Sequence, residues 1–371
     1  LTLDLELMEW IHSIFPDSLP GAVVALDPED GGVLALYSAP TFDPNAFVSG
    51  LTPAEWAVLE SDPQTPLFNR PVMGTYEPGS TWKLAAAAIA LERGVVGPEE
   101  FMPEPCTGGL LHDGLYRRCW DAEGHGFLDM VGAIANSCNV YFYQLGIKIG
   151  LDPLLEAGTR IGFAQQCGID LPQESRGIFP ESRDYWVREF NYDPLEGEVL
   201  SLAIGQGPNV QTPLKMAQFY LALARDGTAP TPHLLENPDP TDGWRLDVSV
   251  ENIEVLREGM RGVTSPGGTA YFGTALEHWE ILGKTGTSQN PQDTLRPHAW
   301  FAGMAGPWGG DPEIVVVTLV EFGESGSAVA APLMAKTADF YLRRKYGLPP
   351  PDSIQTLGEH YNLGRPAPWA R

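Results

Sequence analysis

Ser80 and Lys83, in the stretch Tyr76-Glu77-Pro78-Gly79-Ser80-Thr81-Trp82-Lys83, have the types and spacing of a nucleophile and its base. Pro78-Gly79 punctuates the backbone, and Leu84 to Arg93 consists mostly of strong helix formers with no breaker before Gly94. A helix is therefore expected to start at or beside Ser80. Residues three apart share a helix face, which puts the Lys83 ammonium within hydrogen-bond reach of the Ser80 hydroxyl. A serine hydroxyl is a weak nucleophile, and a lysine acts as a base only when burial or a neighbouring cation lowers its pKa. Trp82 and the alanines supply that burial, and the free N-H groups of the first turn suit a developing oxyanion. Taken alone, the pattern also fits a serine N-cap followed by a solvated lysine. It occurs once: Lys148, Lys215, Lys284, Lys336 and Lys345 all lack a serine three positions earlier.

Two further stretches carry reactive or ligand-binding side chains. Asn136-Ser137-Cys138-Asn139 lies inside Phe127 to Ile149, which has helical pattern, and Lys284-Thr285-Gly286-Thr287 closes a strand-like run from Trp279. Ser288-Gln289-Asn290 repeats the Ser-x-Asn pattern of Ser137 and Asn139. Cys106, Cys119, His125 and Cys138 follow one another as Cys-x12-Cys-x5-His-x12-Cys. Three thiolates and an imidazole form a structural zinc set. The alternative is a disulfide between Cys106 and Cys119, with Cys138 a small buried residue. Cys167, in a Gln-Gln-Cys-Gly turn, reads as packing.

The elements that must position these groups follow from pattern. The 371 residues can bury a large core, and 43% hydrophobic with 19% charged residues describes a globular chain. A formal charge of -25 excludes a nucleic-acid surface, which needs clustered lysine and arginine. No apolar run reaches the roughly 18 to 20 residues of a membrane span. The chain begins at Leu1 without a methionine, which fits a segment separated from its anchor. Leu3 to Phe15 has helical spacing, and Gly21 to Leu26 and Gly32 to Ser38 read as a hairpin. Ala39 to Asn69 is a covering segment with a helical piece near Pro53 to Leu59. Gly94 to Gly126 reads as irregular, as does the loop that runs on through Asn191. Helices are expected from Thr212 to Ala224, capped by Thr212 with Pro213 first, and from Glu251 to Val263. Trp279 to Gly286, His298 to Ala305 and Glu313 to Phe322 are strands, and Ala330 to Tyr346 a closing helix. Strands at both ends with helices between them imply one sheet closed by the termini.

The three motifs in this order make the chain resemble the transpeptidase domain of penicillin-binding proteins, in the superfamily that includes the serine β-lactamases. The resemblance also takes in Asn69-Arg70, Gly205-Gln206-Gly207-Pro208, Gln211-Thr212-Pro213-Leu214 and Gly267-Gly268-Thr269-Ala270, nearly end to end. It implies an α/β (α+β) fold: a mostly antiparallel five-stranded sheet built from both chain ends, flanked by helices, with an all-helical subdomain. The sheet and terminal helices then take 1–70 and 265–347, the helical part 71–264, and a C-terminal tail 348–371.

The resemblance also implies roles. Ser80 is the nucleophile, Lys83 its base, and Ser137 the relay to the leaving group. Asn139 binds the substrate amide and holds Lys83. Lys284, with Thr285 and Thr287, takes a terminal carboxylate, and Lys284 helps depress Lys83. Gly286 admits the substrate to the strand, and the N-H groups of Ser80 and Thr287 form the oxyanion hole. Catalysis needs no cofactor. The expected substrate is a peptidoglycan stem peptide ending in D-Ala-D-Ala, and β-lactams mimic that terminus. Gly124-His125-Gly126, the Gly205 to Leu214 run and Lys284 to Ser288 resemble the elongation type, a monofunctional class B protein. Such a protein is membrane-anchored outside the cytoplasm beside a RodA-type glycan polymerase. Some relatives of this type hold zinc near the active site, and Cys138 and His125 match two of those ligands, so Cys106, Cys119, His125 and Cys138 are the candidate zinc set here. A β-lactamase and a β-lactam sensor share the fold. The Gln165 to Phe190 loop lacks the Glu-x-x-Leu-Asn of class A β-lactamases, which disfavours hydrolysis.

Overall fold

The computed structural model describes residues 1–236, 243–290, 293 and 295–349. Five strands form one sheet in the spatial order Val33–Ala39, Gly21–Leu26, Ile314–Val320, His298–Pro307, Trp279–Ser288, every neighbouring pair antiparallel. Both chain ends thus build it, as expected. Ile314–Val320 is a continuous apolar run whose every residue is buried. A strand of that composition needs cover on both faces. Helices Leu5–Ile14, Pro213–Ala224 and Ala331–Lys345 provide it by packing against the sheet. Trp10 stacks on Phe340 with ring centroids 4.9 Å apart, locking the first helix to the last.

Lys83–Glu92 is the core of the helical part. Its residues from Lys83 to Leu91 are all buried, against Asn139–Ile149, Leu151–Ile161 and Val250–Thr264. A helix surrounded on all sides reads as apolar all round, and its run of alanines lets neighbours approach closely. Helix Pro213–Ala224 starts as its sequence implies, with the Thr212 side chain accepting from Lys215 N-H.

Three local features differ from expectation. The stretch read as irregular contains a hairpin, Gly109–His112 paired with Leu115–Arg118. Its turn is Asp113-Gly114, both at positive φ (50° and 76°), a strong hairpin signal masked by the surrounding prolines and glycines. Phe127 to Ile149 is two helices, Met130–Ala135 and Asn139–Ile149, because Ser137 takes a left-handed φ of 51° and breaks the ladder. The loop before Asn191 holds a short helix, Asp184–Phe190. Of the expected tail 348–371, residues from 350 onward lie outside the described residues. No described helix is long and apolar enough to cross a membrane.

Candidate active site

Ser80 sits in a 3-10 turn, Gly79–Trp82, that runs directly into the helix beginning at Lys83. Gly79 is left-handed (φ 52°), and its N-H donates to Gly205 O at 2.9 Å, tying the turn to the Gly205-Gln206-Gly207 loop. Glu77 adds a second tie by accepting from Gly207 N-H at 3.1 Å, and burial pushes its carboxyl up to about 7.

Lys83 is fully buried. Its Nζ donates to Ser137 O at 2.7 Å, Ser137 Oγ at 3.1 Å and Asn139 Oδ1 at 2.7 Å. The helix break at Ser137 aims these acceptors: Asn139 opens the next helix, so both side chains of the motif turn back on Lys83. Burial draws Lys83 down to about 8, opposed by the nearby Cys138 and Cys119 sulfurs. An amine at that value is available as a base near neutral pH. Among the described residues, the hydrogen bonds of Lys83 Nζ go to the Ser137-Cys138-Asn139 turn and none goes to the Ser80 hydroxyl. Catalytic hydrogen bonds often close only around substrate, and Ser80 is one turn away.

Trp279–Ser288 is the outermost strand, paired only with His298–Pro307, so its other edge faces the cleft. Lys284 is fully buried, and its Nζ donates to Thr285 O at 3.1 Å. Burial, and then repulsion from Lys83, hold it well below an ordinary lysine. Lys83 and Lys284 are thus both fully buried, and Lys83 keeps three oxygen acceptors. A Cβ on Gly286 would lie 2.9 Å from Thr81 Cγ2 and 3.0 Å from Pro78 O, so its missing side chain lets the strand pack on the turn that carries Ser80.

Ser80, Ser137, Asn139, Thr285, Gly286 and Thr287 line one cleft of about 370 Å³. Trp120, Gln206, Thr269, Ser325 and Ser327 line it too. Thr269 Oγ1 lies 3.1 Å from Thr285 Oγ1. Ser325 and Ser327 carry no sequence signal beyond that of a Gly-Ser loop. They arrive because Gly326 packs against Gly286, where a Cβ would meet its carbonyl oxygen at 2.3 Å. None of the described residues lining the cleft is acidic.

Beside the cleft, ligand atoms of Cys106, Cys119, His125 and Cys138 lie within 4.8 Å of one another. His125 Nδ1 is 3.5 Å from Cys106 Sγ and 3.6 Å from Cys119 Sγ. Cys106 and Gly126 exchange both backbone hydrogen bonds, Cys119 follows the hairpin, and Cys138 is the N-cap of the helix starting at Asn139. All four cysteines of the chain are free thiols, including the Cys106 and Cys119 of the disulfide alternative. A hydrogen bond between Cys138 and Cys119 holds the Cys119 thiol below and the Cys138 thiol above an ordinary thiol.

The family profile described as the penicillin binding protein transpeptidase domain matches residues 21–339. Peptidoglycan D,D-transpeptidase MrdA of Escherichia coli is 33% identical over 364 residues, covering 91% of this chain and 57% of that protein. The chain therefore spans somewhat more than half the length of that curated relative. Among solved structures, Pseudomonas aeruginosa PBP2 in complex with WCK 5153 superposes with a TM-score of 0.85 at 35% identity, over 94% of this chain and 79% of that one. Helicobacter pylori PBP2 in its complex with MreC gives a TM-score of 0.85 at 31% identity, over 93% and 64%.

Proposed function

Because this chain belongs to the penicillin-binding protein transpeptidase family, we propose that it is the catalytic part of an elongation-type peptidoglycan D,D-transpeptidase. The observation that carries this reading is a serine beside a buried lysine in a cleft whose described lining holds no carboxylate. Ser80 Oγ attacks the carbonyl carbon of the penultimate D-Ala, and its proton passes to the Lys83 amine. The N-H groups of Ser80 and Thr287 receive the oxyanion. Collapse breaks the C-N bond as Ser137 returns the proton to the departing amine, releasing D-Ala and leaving an ester on Ser80. A stem-peptide amine then attacks that ester, forming the cross-link and restoring the serine. Asn139 holds the donor's amide, and Thr285 and Thr287 hold its carboxylate, which favours the charged form of Lys284.

The absence of an acidic group among the described lining residues supports transfer over hydrolysis, since a β-lactamase needs a base for its deacylating water. The test offers a D-Ala-D-Ala donor and an amine acceptor to the parent and to Ser80→Ala. Release of D-Ala with a joined product, from the parent alone, is the expected result. Acylation with no product is the result for a sensor, and rapid turnover of penicillin that for a β-lactamase; either overturns the reading. Anchoring at the outer face of the cytoplasmic membrane and a RodA-type polymerase as partner belong to the same proposal, and the Helicobacter pylori PBP2 solved with MreC is a relative that assembles with another protein.

Cys106, Cys119, His125 and Cys138 fit a zinc ion by donor type and proximity. Bound zinc would hold three thiolates and an imidazole and contribute folding energy. The chain's own part is to tie the hairpin to the turn carrying Ser137 and Asn139. Protein purified without chelator is expected to hold one zinc per chain, and Cys119→Ser to lower Tm by roughly 5–10 °C. Metal-free protein with an unchanged Tm would contradict this.

A further inference from the structure

Glu77 is an acid beside the nucleophile that takes no part in the acyl-transfer steps. It stands three residues before Ser80, yet it is not among the described residues lining the cleft. Its Oε1 accepts from Gly207 N-H at 3.1 Å, while Oε2 is buried and without a hydrogen-bond partner among the described residues. Removing a carboxyl from water for a single hydrogen bond costs the fold stability, and burial accordingly pushes this one up to about 7. A group kept at such a cost next to a nucleophile points to function.

What Glu77 holds is the loop 205–211. Tyr76 and Gln211 exchange both backbone hydrogen bonds, at 3.0 and 2.8 Å, so the chain entering the nucleophile's turn lies antiparallel to the end of that loop. At the loop's start, Gly79 N-H donates to Gly205 O at 2.9 Å, and a Cβ on Gly205 would meet Gly79 O at 2.2 Å. Gln206 stands between Gly205 and Gly207 and lines the cleft with Ser80. Its own N-H bonds back to Ser201 O at 3.0 Å. Gly207 is loosely packed, since a Cβ there would find only Ser201 Cβ, 3.7 Å away. The close contact at Gly205 therefore fixes one side of Gln206 to the nucleophile's turn, and the Glu77 hydrogen bond fixes the other.

We propose that Glu77 is a positioning residue for the acyl donor: its carboxyl fixes Gly207 and thereby sets Gln206 against a donor bound at Ser80. The inference rests on the transpeptidase reading and deepens it, by adding a residue that acts on donor binding without touching the donor. Ser80 and Lys83 keep their own turn and the Gly79 hydrogen bond when Glu77 is replaced. The loss therefore falls on donor affinity and not on the chemical step. Glu77→Gln keeps an oxygen acceptor for Gly207 N-H, whereas Glu77→Leu fills a similar volume without one.

The test follows acylation of the whole chain by a penicillin in stopped flow, which separates the Kd of the first complex from the saturating acylation rate, with Tm measured alongside. Glu77→Leu is expected to raise that Kd by about 10-fold while the saturating rate changes less than about threefold. Its Tm is expected to stay at or above the parent's, because an underpartnered buried carboxyl is gone. Glu77→Gln is expected to stay within about twofold of the parent in both constants. Gln206→Ala is expected to raise Kd to a similar degree, and adding Glu77→Leu to it to raise Kd less than about twofold further. A leucine variant with the parent's Kd, a loss confined to the saturating rate, a glutamine variant as weak as the leucine one, or losses that add in the double variant would each overturn the role. So would a lowered Tm with both constants impaired, which is general damage. A parent that penicillin fails to acylate has lost the transpeptidase reading, whereas one that acylates with every variant unchanged has lost only the positioning role. Should Glu77→Leu not fold, the other two single variants decide: Glu77→Gln weakened more than about threefold, or Gln206→Ala at the parent's Kd, overturns the proposal.

Discussion

Lys83→Met is expected to lower the rate of acylation by penicillin by about 10²- to 10⁴-fold, the usual contribution of a positioned general base. Methionine fills most of the lysine's volume, and the residue is fully buried, so the substitution removes the amine without opening a large cavity. The pH profile carries a sharper signature. Burial draws Lys83 down to about 8, so the fraction of free amine, and with it the rate, rises as pH passes upward through that value. The rising limb is expected in the parent and absent from the variant. Stopped-flow acylation across pH, with circular dichroism to check the fold, measures both. A loss of less than tenfold with the limb retained would place the base elsewhere.

Gly286→Ala is expected to slow acylation by about 10²-fold while leaving the five-stranded sheet assembled. The added Cβ would lie 2.9 Å from Thr81 Cγ2 and 3.0 Å from both Pro78 O and Trp300 Cβ. Neither the backbone of the nucleophile's turn nor the paired strand behind can yield freely, so the edge strand must shift away from Ser80. Gly79 faces Thr287 O across the same gap, where its own Cβ would come within 3.0 Å. Two glycines therefore set the separation of the turn carrying Ser80 from the edge strand Trp279–Ser288. A displacement on the order of 1 Å between such groups costs about 10² in rate. Acylation rate and Tm measured together distinguish this from general damage: a slow enzyme with a nearly unchanged Tm is the expected result, and an unchanged rate would contradict it.

Much of this site is legible in the sequence because its chemistry is carried by short local patterns. Ser80 and Lys83 are one turn apart, so helix geometry relates them without tertiary information. The closing strands and helix announce themselves by long apolar runs and cap residues, and Thr212-Pro213 marks the start of a helix to the residue. What the sequence does not reveal depends on contacts between distant segments. No local rule says that Lys83 spends its donors on Ser137 and Asn139, since that follows from Ser137 breaking a helix that the pattern alone continues. Ser325 and Ser327 reach the cleft only because Gly326 fits against Gly286. The Asp113-Gly114 hairpin is different: its signal was present, and the flanking irregular composition hid it.

The central claim is that Ser80 is the residue that becomes acylated, in a cleft assembled from three distant segments. Mass-spectrometric peptide mapping after incubation with a penicillin tests it directly. One adduct of the intact drug on the peptide carrying Ser80, lost in Ser80→Ala, is the predicted result. An adduct on another residue, or an unmodified chain after prolonged exposure of folded protein, would contradict it.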